Sequence, residues 1–376
     1  NCYKLSNMKR QACSVQLQVL KNLPMATEII EDLINANVTS REILKVLRQS
    51  NIFNNTSGSS SSYIDINMMS LIVCALESKK NLNYIDTKSK FDKLLHIYPG
   101  NRFILKHAAE CYAHSGHSKE ALVVYQQLHI QDPLYIYHID TWGYLLYIQY
   151  ENNDDKLSEL YKLTSSVMAL DSGNSSSSDR KEKNRSNSSN RPECWVLAAM
   201  FAATQGDTRK TILFIEKAII ADSRHTMAYI FKGKHLATTD HFEKSIIAYL
   251  MANSIFKTIF AYSGLVYGHI KCNNIREAGL AAKEAISNFP GLTESYILQA
   301  TVLLHSINNA DEYFSSTSNR KNIEIEMLKV LDKAMLLDTT NSQVSLMKAD
   351  LLMSKQSNCF NIEEAIVWYV YTIYLT

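Results

Sequence analysis

Proline and glycine are scarce: the 376-residue chain holds only 5 and 11 of them. That scarcity argues against collagen-like and turn-rich all-β architectures and suits helices joined by short turns. Cysteine is sparse as well. Cys2, Cys13, Cys74, Cys111, Cys194, Cys272 and Cys359 are odd in number, scattered, and form no CxxC, so they read as reduced thiols packed like small apolar residues, not as a disulfide framework. Charge of one sign is missing too. A formal net charge of +2 gives no general field for nucleic acid or acidic membranes, and partner choice must rest on local surfaces. No GxSxG motif occurs, and no glycine-rich loop follows a strand to cradle phosphate. The apolar run Ala365-Ile366-Val367-Trp368-Tyr369-Val370-Tyr371 is far short of the ~20 residues that span a bilayer. Asn1-Cys2-Tyr3-Lys4 begins neither with Met nor with an apolar leader, and the other end stops in mid-pattern. Together these predict a piece of a longer chain whose next repeat would cover the last face.

What is present is a pattern returning about every 34 residues. From Arg102 to Pro133 it reads Leu105, Ala108, Ala109 and Tyr112, a turn at Ser115-Gly116-His117, then Ala121, Tyr125, Leu128 and Pro133. Pro99, Phe91 and Leu94 stand one period earlier, and Ala218, Ala252 and Ala285 recur at steps of 34 and 33. Trp195, Tyr229, Tyr262 and Tyr296 share one large-aromatic slot at steps of 34, 33 and 34. Two short amphipathic helices per period are the signature of the tetratricopeptide repeat (TPR). Neither helix pair can bury its apolar face alone, so neighbours stack around a continuous core. The predicted fold is all-α, a right-handed α-α superhelix, or TPR solenoid.

Residues 1–50 read as three N-terminal helices, degenerate repeats, with Pro24 in the first turn of the second and Thr39 with Glu42 forming a capping box for the third. Residues 51–62 are a Ser/Asn-rich linker. Residues 63–170 carry repeats at 68–101, 102–135 and about 136–170. Residues 171–191, almost without apolar side chains, are predicted to be a disordered loop. Residues 192–376 carry further repeats starting near Pro192, Thr226, Ile259 and Ser342, with a turn enlarged over 306–322.

Candidate chemistry is thin. His107, Cys111 and His114 lie at i, i+4, i+7 on one helix face, with His117 beyond the turn; this is metal-ligand geometry in outline. Their neighbours in the pattern are core positions, and packing is the preferred reading. Asp154-Asp155 and Glu363-Glu364 fall at helix starts, where solvation and the helix dipole account for them. The cluster Arg180-Lys181-Glu182-Lys183-Asn184-Arg185 reads as a solvated loop, with an import signal as the sharper alternative. The groove is the main candidate site. The second, fifth and ninth residues of each first helix are expected to face inward: Glu193, Val196, Met200; Met227, Ile230, Lys234; Phe260, Ser263, Tyr267; Glu294, Ile297, Thr301. Such a wall suits an extended or helical protein segment. Tyr112, Pro133, Trp142, Gly143, Trp195, Gly233, Ala252, Ala285 and Pro290 read as residues that define the repeats.

Several stretches resemble one family beyond the generic repeat. They are Asp132-Pro133-Leu134 with Asp140-Thr141-Trp142-Gly143-Tyr144-Leu145-Leu146, Pro192-Glu193-Cys194-Trp195-Val196, Lys232-Gly233, Asn273-Asn274-Ile275-Arg276-Glu277-Ala278, Leu298-Gln299-Ala300-Thr301-Val302 and Leu331-Asp332-Lys333-Ala334. In that order they are similar to motifs of the subunit-seven family of the anaphase-promoting complex (cyclosome), a ubiquitin ligase. Residues 1–62, the 171–191 loop and the 306–322 turn depart from the family pattern. The resemblance implies a non-catalytic scaffold in the nucleus and cytoplasm, with other TPR subunits of the ligase as partners and a homodimer as its own state. No cofactor, metal, nucleic acid, membrane or small-molecule substrate is expected. Two other classes compete. A free peptide-binding adapter or co-chaperone needs a Lys/Asn/Arg clamp for a terminal carboxylate. Lys106 is at position five, but position nine holds Leu76, Glu110, Met200, Lys234, Tyr267 and Thr301 where Asn is required. An enzyme built on a repeat scaffold finds no support in these residues.

Overall fold

The structure is a computed structural model and describes residues 9–50, 66–133, 135, 137–149, 154–173, 191–313, 317–353 and 361–375. The expected linker at 51–62 and most of the expected loop at 171–191 lie outside the described residues. Among the described residues every regular element is a helix. Three come first: α1 (Lys9–Asn22), α2 (Thr27–Asn35) and α3 (Ser40–Arg48). Helix pairs follow, α4 (Ile66–Lys80) with α5 (Tyr84–Ile97), α6 (Arg102–His114) with α7 (Ser118–Gln131), and α8 (Ile139–Gln149) with α9 (Asp154–Gly173). Next are α10 (Pro192–Thr204) with α11 (Thr208–Ala221), α12 (Thr226–Thr238) with α13 (Phe242–Ile255), and α14 (Ile259–Lys271) with α15 (Ile275–Asn288). The last pairs are α16 (Thr293–Tyr313) with α17 (Thr317–Leu337), and α18 (Ser342–Met353) with α19 (Ile362–Leu375). The fold is the all-α TPR solenoid that the period predicts.

Two compact units divide the chain. The first comprises residues 1–115 and 123–131, the second 116–122 and 132–376. In the first, Ile30, Leu33, Ile43, Leu47, Phe91 and Leu94 are fully buried. In the second, the small residues Ala218, Ala252, Ala285 and Ala334 are fully buried on successive second helices, where a larger side chain would hold neighbouring helices apart.

Local chemistry fixes the helix ends. Thr39 Oγ1 accepts the Glu42 N–H, Asn101 Oδ1 those of Phe103 and Ile104, Asp207 Oδ1 that of Lys210, and Thr258 Oγ1 that of Ala261. Each satisfies a donor left orphaned by the first helical turn. The first helices α4, α10, α12 and α14 share one closing turn. In α12, the Asp240 N–H donates to the Ala237 carbonyl and the His241 N–H to that of Leu236. The same pair of bonds recurs at Leu82 and Asn83, at Gly206 and Asp207, and at Asn273 and Asn274. This is the Schellman pattern, which needs a left-handed residue. Gly206 supplies it at φ 73°, and Leu82, Asp240 and Asn273 adopt it at 59°, 58° and 58°.

Two local expectations are corrected. Pro24 sits in the turn ahead of α2, which begins at Thr27. The enlarged turn expected at 306–322 is mostly helix: α16 continues to Tyr313 and α17 resumes at Thr317. Ser306 goes along with the helix by donating its hydroxyl to the Val302 carbonyl one turn back.

The repeat-defining residues hold these pairs together. Trp142 and Tyr112 are buried, and Tyr112 donates its hydroxyl to the Asp92 carboxylate. Pro133 and Pro290 are exposed at repeat junctions. The Pro290 carbonyl accepts the Tyr296 hydroxyl at 3.0 Å, as the Ser223 carbonyl accepts that of Tyr229 at 3.2 Å. Trp195 instead stacks on Phe214 with Lys217 Nζ 4.4 Å from its ring centre.

Candidate partner-binding surfaces

In the second unit the first helices carry the expected inner wall, but most of it is filled. Val196, Met200 and Ile230 are fully buried, and Met227 and Ile297 nearly so. They pack between helices and cannot line an open groove, which corrects their assignment. Glu193, Lys234, Phe260, Ser263 and Thr301 keep partial or full exposure, and Tyr267 is 49% exposed. Glu294 is largely covered; burial, with the Asp338 charge adding to it, pushes its carboxyl up to about 7.

Aromatic rings account for the filling. Tyr144 on α8 meets Phe260 on α14 edge-on at 5.4 Å, and Tyr147 meets Phe231 on α12 at 5.2 Å. Tyr249 of α13 occupies the space left by two glycines. A Cβ on Gly233 would lie 2.8 Å from its ring, and one on Gly264 2.1 Å from it. Ser245 Oγ adds a buried hydrogen bond to the Gly233 carbonyl at 2.8 Å. On α8, a Cβ at Gly143 would lie 2.4 Å from Leu197. Gly264 and Tyr249 escape a sequence reading because only their spatial neighbours give them meaning.

A buried ion pair joins α8 to the start of α12. His225 Nε2 lies 2.9 Å from Asp140 Oδ2, and the Thr141 N–H donates to Asp140 Oδ1 at 2.8 Å. Burial opposes both charges. The hydrogen bond and charge of His225, with help from His138 and Thr141, nevertheless hold the Asp140 carboxyl below its usual range. Asp140, with Glu193 and Asp222, likewise raises the His225 imidazole.

The same unit has an apolar cleft of about 450 Å³ between α9, α10 and α11. Tyr161, Met168, Phe201 and Phe214 line it, with Asp207 and Lys210 among its polar residues. A volume of this size admits one or two apolar side chains or a small ligand.

The first unit has a charged inner surface. His107, of the suspected metal triad, is fully buried; Phe91 stacks on it at 6.1 Å and Phe103 meets it edge-on at 4.5 Å. Cys111 is buried and points at the Tyr84 carbonyl, and burial pushes its thiol up to about 12. Among the described residues no group of three or more His, Cys, Asp or Glu could hold a metal ion. His107 faces charged neighbours instead. Lys79 Nζ lies 3.1 Å from His107 Nδ1 and 2.5 Å from Glu110. Glu31, on α2, lies 3.5 Å from His107 Nε2 and 3.6 Å from Lys106 Nζ. Burial and the Lys79 charge push the imidazole down to about 4, so it is neutral near pH 7. Accepting from the lysine at Nδ1 leaves its proton on Nε2, facing Glu31. The polar contact with His107 at 3.5 Å, followed by the charges of Lys106 and Lys79, holds the Glu31 carboxyl at about 2. Lys106 and His107, with Lys79 behind them, thus surround the Glu31 carboxylate.

No protein-family model matches the chain. Individual relatives do. It is 24% identical over 289 residues to anaphase-promoting complex subunit 7 of Arabidopsis thaliana, covering 77% of this chain and 47% of that one. Against the same subunit of Mus musculus the identity is 21% over 308 residues, covering 81% and 49%. Against that of Dictyostelium discoideum it is 21% over 370 residues, covering 94% and 56%. The chain is thus similar to anaphase-promoting complex subunit 7 over most of its length. It spans about half the length of the curated relatives it matches. Among solved structures, the crystal structure of the anaphase-promoting complex hetero-tetramer Cut9–Hcn1 superposes with a TM-score of 0.57 at 13% identity, covering 100% of this chain and 71% of that one. A monomeric IFIT1 mutant with the capped oligonucleotide m7Gppp-AAAA superposes at 0.50, also at 13% identity, covering 100% and 88%. Proteins with such different ligands share the fold alone. Of the motifs that resemble subunit 7, Trp142 and Gly143 pack inside α8, whereas Asn273 and Asn274 are exposed in the turn that closes α14.

Proposed function

We propose that this chain is a non-catalytic TPR scaffold subunit of the anaphase-promoting complex. It would support cell-cycle-regulated ubiquitination through protein–protein contacts, with other TPR subunits of the ligase as neighbours, a homodimer as its own state, and the nucleus and cytoplasm as its compartments. The similarity to subunit 7 from plant, animal and amoeba, running over 77–94% of the chain, carries this reading. The physics agrees with it. A scaffold needs stiff, extended surfaces, and the interlocked aromatics of the second unit supply stiffness without any acid–base pair or nucleophile being required.

Affinity capture through a tagged chain from nuclear extract tests the proposal. Other TPR subunits of the ligase should appear in near-stoichiometric amounts under gentle salt. A chaperone alone, or no ligase subunit, would count against it. The wall can be probed in the same assay at Tyr267, which is exposed. Tyr267→Glu should weaken capture if that wall holds a partner, whereas Met227→Glu and Phe260→Glu would also disturb packing.

A further inference from the structure

We infer that the inner surface of the first unit is a carboxylate-binding site, occupied in the free chain by its own Glu31 and available to an acidic protein segment that displaces it.

The argument begins with convergence. Lys79 comes from α4, and Lys106 and His107 from α6, the first helices of two consecutive repeats. Lys106 Nζ and His107 Nε2 both face the Glu31 carboxylate, at 3.6 and 3.5 Å. Lys79 supports them from behind: by donating to His107 Nδ1 it fixes the tautomer that presents Nε2–H to a carboxylate. Glu110 balances Lys79 at 2.5 Å. The second ammonium, Lys106, and the buried N–H then face one more carboxylate, and leaving the buried N–H without an acceptor would be costly.

The present occupant is held by a small element. α2 has nine residues, no side-chain cap at its N-terminus and three buried anchors, Ile30, Leu33 and Ile34. A helix this short is marginal without its tertiary contacts. Lys80 grips its far end at the Ile34 carbonyl and the Asn37 side chain. The cradle is also reachable from solvent, since the Glu31 and Lys106 side chains are 29% and 25% exposed. An incoming Asp, Glu or C-terminal carboxylate can therefore approach while α2 leaves, and the charge set is the same before and after the exchange. Extended or helical acidic segments fit a TPR inner face by the usual modes of peptide docking. The inference is independent of the assembly proposed above, because the purified chain alone is enough to test it.

The test is fluorescence anisotropy on the full chain with a short fluorescein-labelled poly-glutamate peptide amidated at its C-terminus. Its glutamine twin is used in two forms, amidated and with a free C-terminal carboxylate. Glu31→Ala should bind the glutamate peptide about tenfold more tightly than the native chain, because the closed state no longer competes. Adding Lys106→Glu should abolish the gain, and the amidated glutamine twin should not bind. Binding of the twin with the free carboxylate would assign the site to chain termini, and its failure to bind would assign the site to acidic side chains. If circular dichroism shows that Glu31→Ala has lost helix, the isosteric Glu31→Gln takes its place in the same comparison. No gain with a natively folded variant, or equal binding of the amidated glutamine twin, would overturn the inference and leave Glu31 as a structural pin.

Discussion

At the scale of single residues, the second unit depends on side chains that are missing. Gly264 and Gly233 leave room for the Tyr249 ring, and Gly264 has the tighter fit. Gly264→Ala should therefore cost about 1–3 kcal/mol by overpacking, and Gly233→Leu at least as much, read from denaturant midpoints. Of the two, only Gly233 is legible in the sequence, through the small-residue slot of the repeat. Gly264 becomes legible once Tyr249 is placed against it. The Asp140–His225 pair is a second residue-scale feature that the sequence hides, because 85 residues of chain separate its members. Its linkage to pH has a definite sign. Asp140 is depressed below 3.8, so its stabilisation is present above that value and is lost as pH falls through the folded pKa. His225 is raised above 6.5, so its contribution is full below that value and is lost as pH rises through the folded pKa. The pair thus stabilises most between the two values. His225→Gln should lower the melting temperature below pH 6.5 more than at a pH above the folded pKa of His225, where the imidazole of the native chain has lost its charge. Equal losses at both values would contradict the assignment.

At the scale of helices, the period sets most starts correctly, because the apolar face, the small residues and the aromatic slot all recur together. First helices begin at Arg102, Pro192, Thr226, Ile259 and Ser342, at or close to the repeat starts read from the pattern. Ends are harder to read. Leu82, Asp240 and Asn273 take the left-handed position in the closing turn although none is glycine, and composition alone does not flag them. The polar stretch after Leu304 reads as a loop, yet α16 and α17 extend into it. The inner wall differs from expectation for a related reason. Helical spacing states which residues share a face and not how closely the next element approaches, so Val196, Met200 and Ile230 read as groove residues in the sequence and are core in the structure. Caps give a direct check at this scale. Asp207→Ala removes the acceptor for the Lys210 N–H at 3.0 Å and should lower the melting temperature. An unchanged stability would mean that water replaces the cap.

At the scale of the whole molecule, the two units offer contrasting surfaces. The first has an inner face of interlocked charges centred on Glu31, Lys79, Lys106 and His107. The second has an inner face largely filled by aromatic packing, with Tyr267 exposed upon it. One is suited to exchanging a carboxylate and the other to resisting deformation, and a scaffold has use for both. Among the described residues no helix is long and apolar enough to cross a membrane. The solenoid class is readable from the 34-residue period, and the likeness to subunit 7 from motifs that recur in the same order. The charged cradle was not readable, because Glu31 precedes the recognisable repeats and meets Lys106 only in space. The central claim is membership in the ligase as a scaffold. Electron cryo-microscopy of the ligase purified through a tag on this chain tests it most directly. The account predicts density for a solenoid of paired helices, at the position of the tag, in contact with other TPR subunits. Recovery of the tagged protein only in free form, with no ligase particles attached to it, would contradict it.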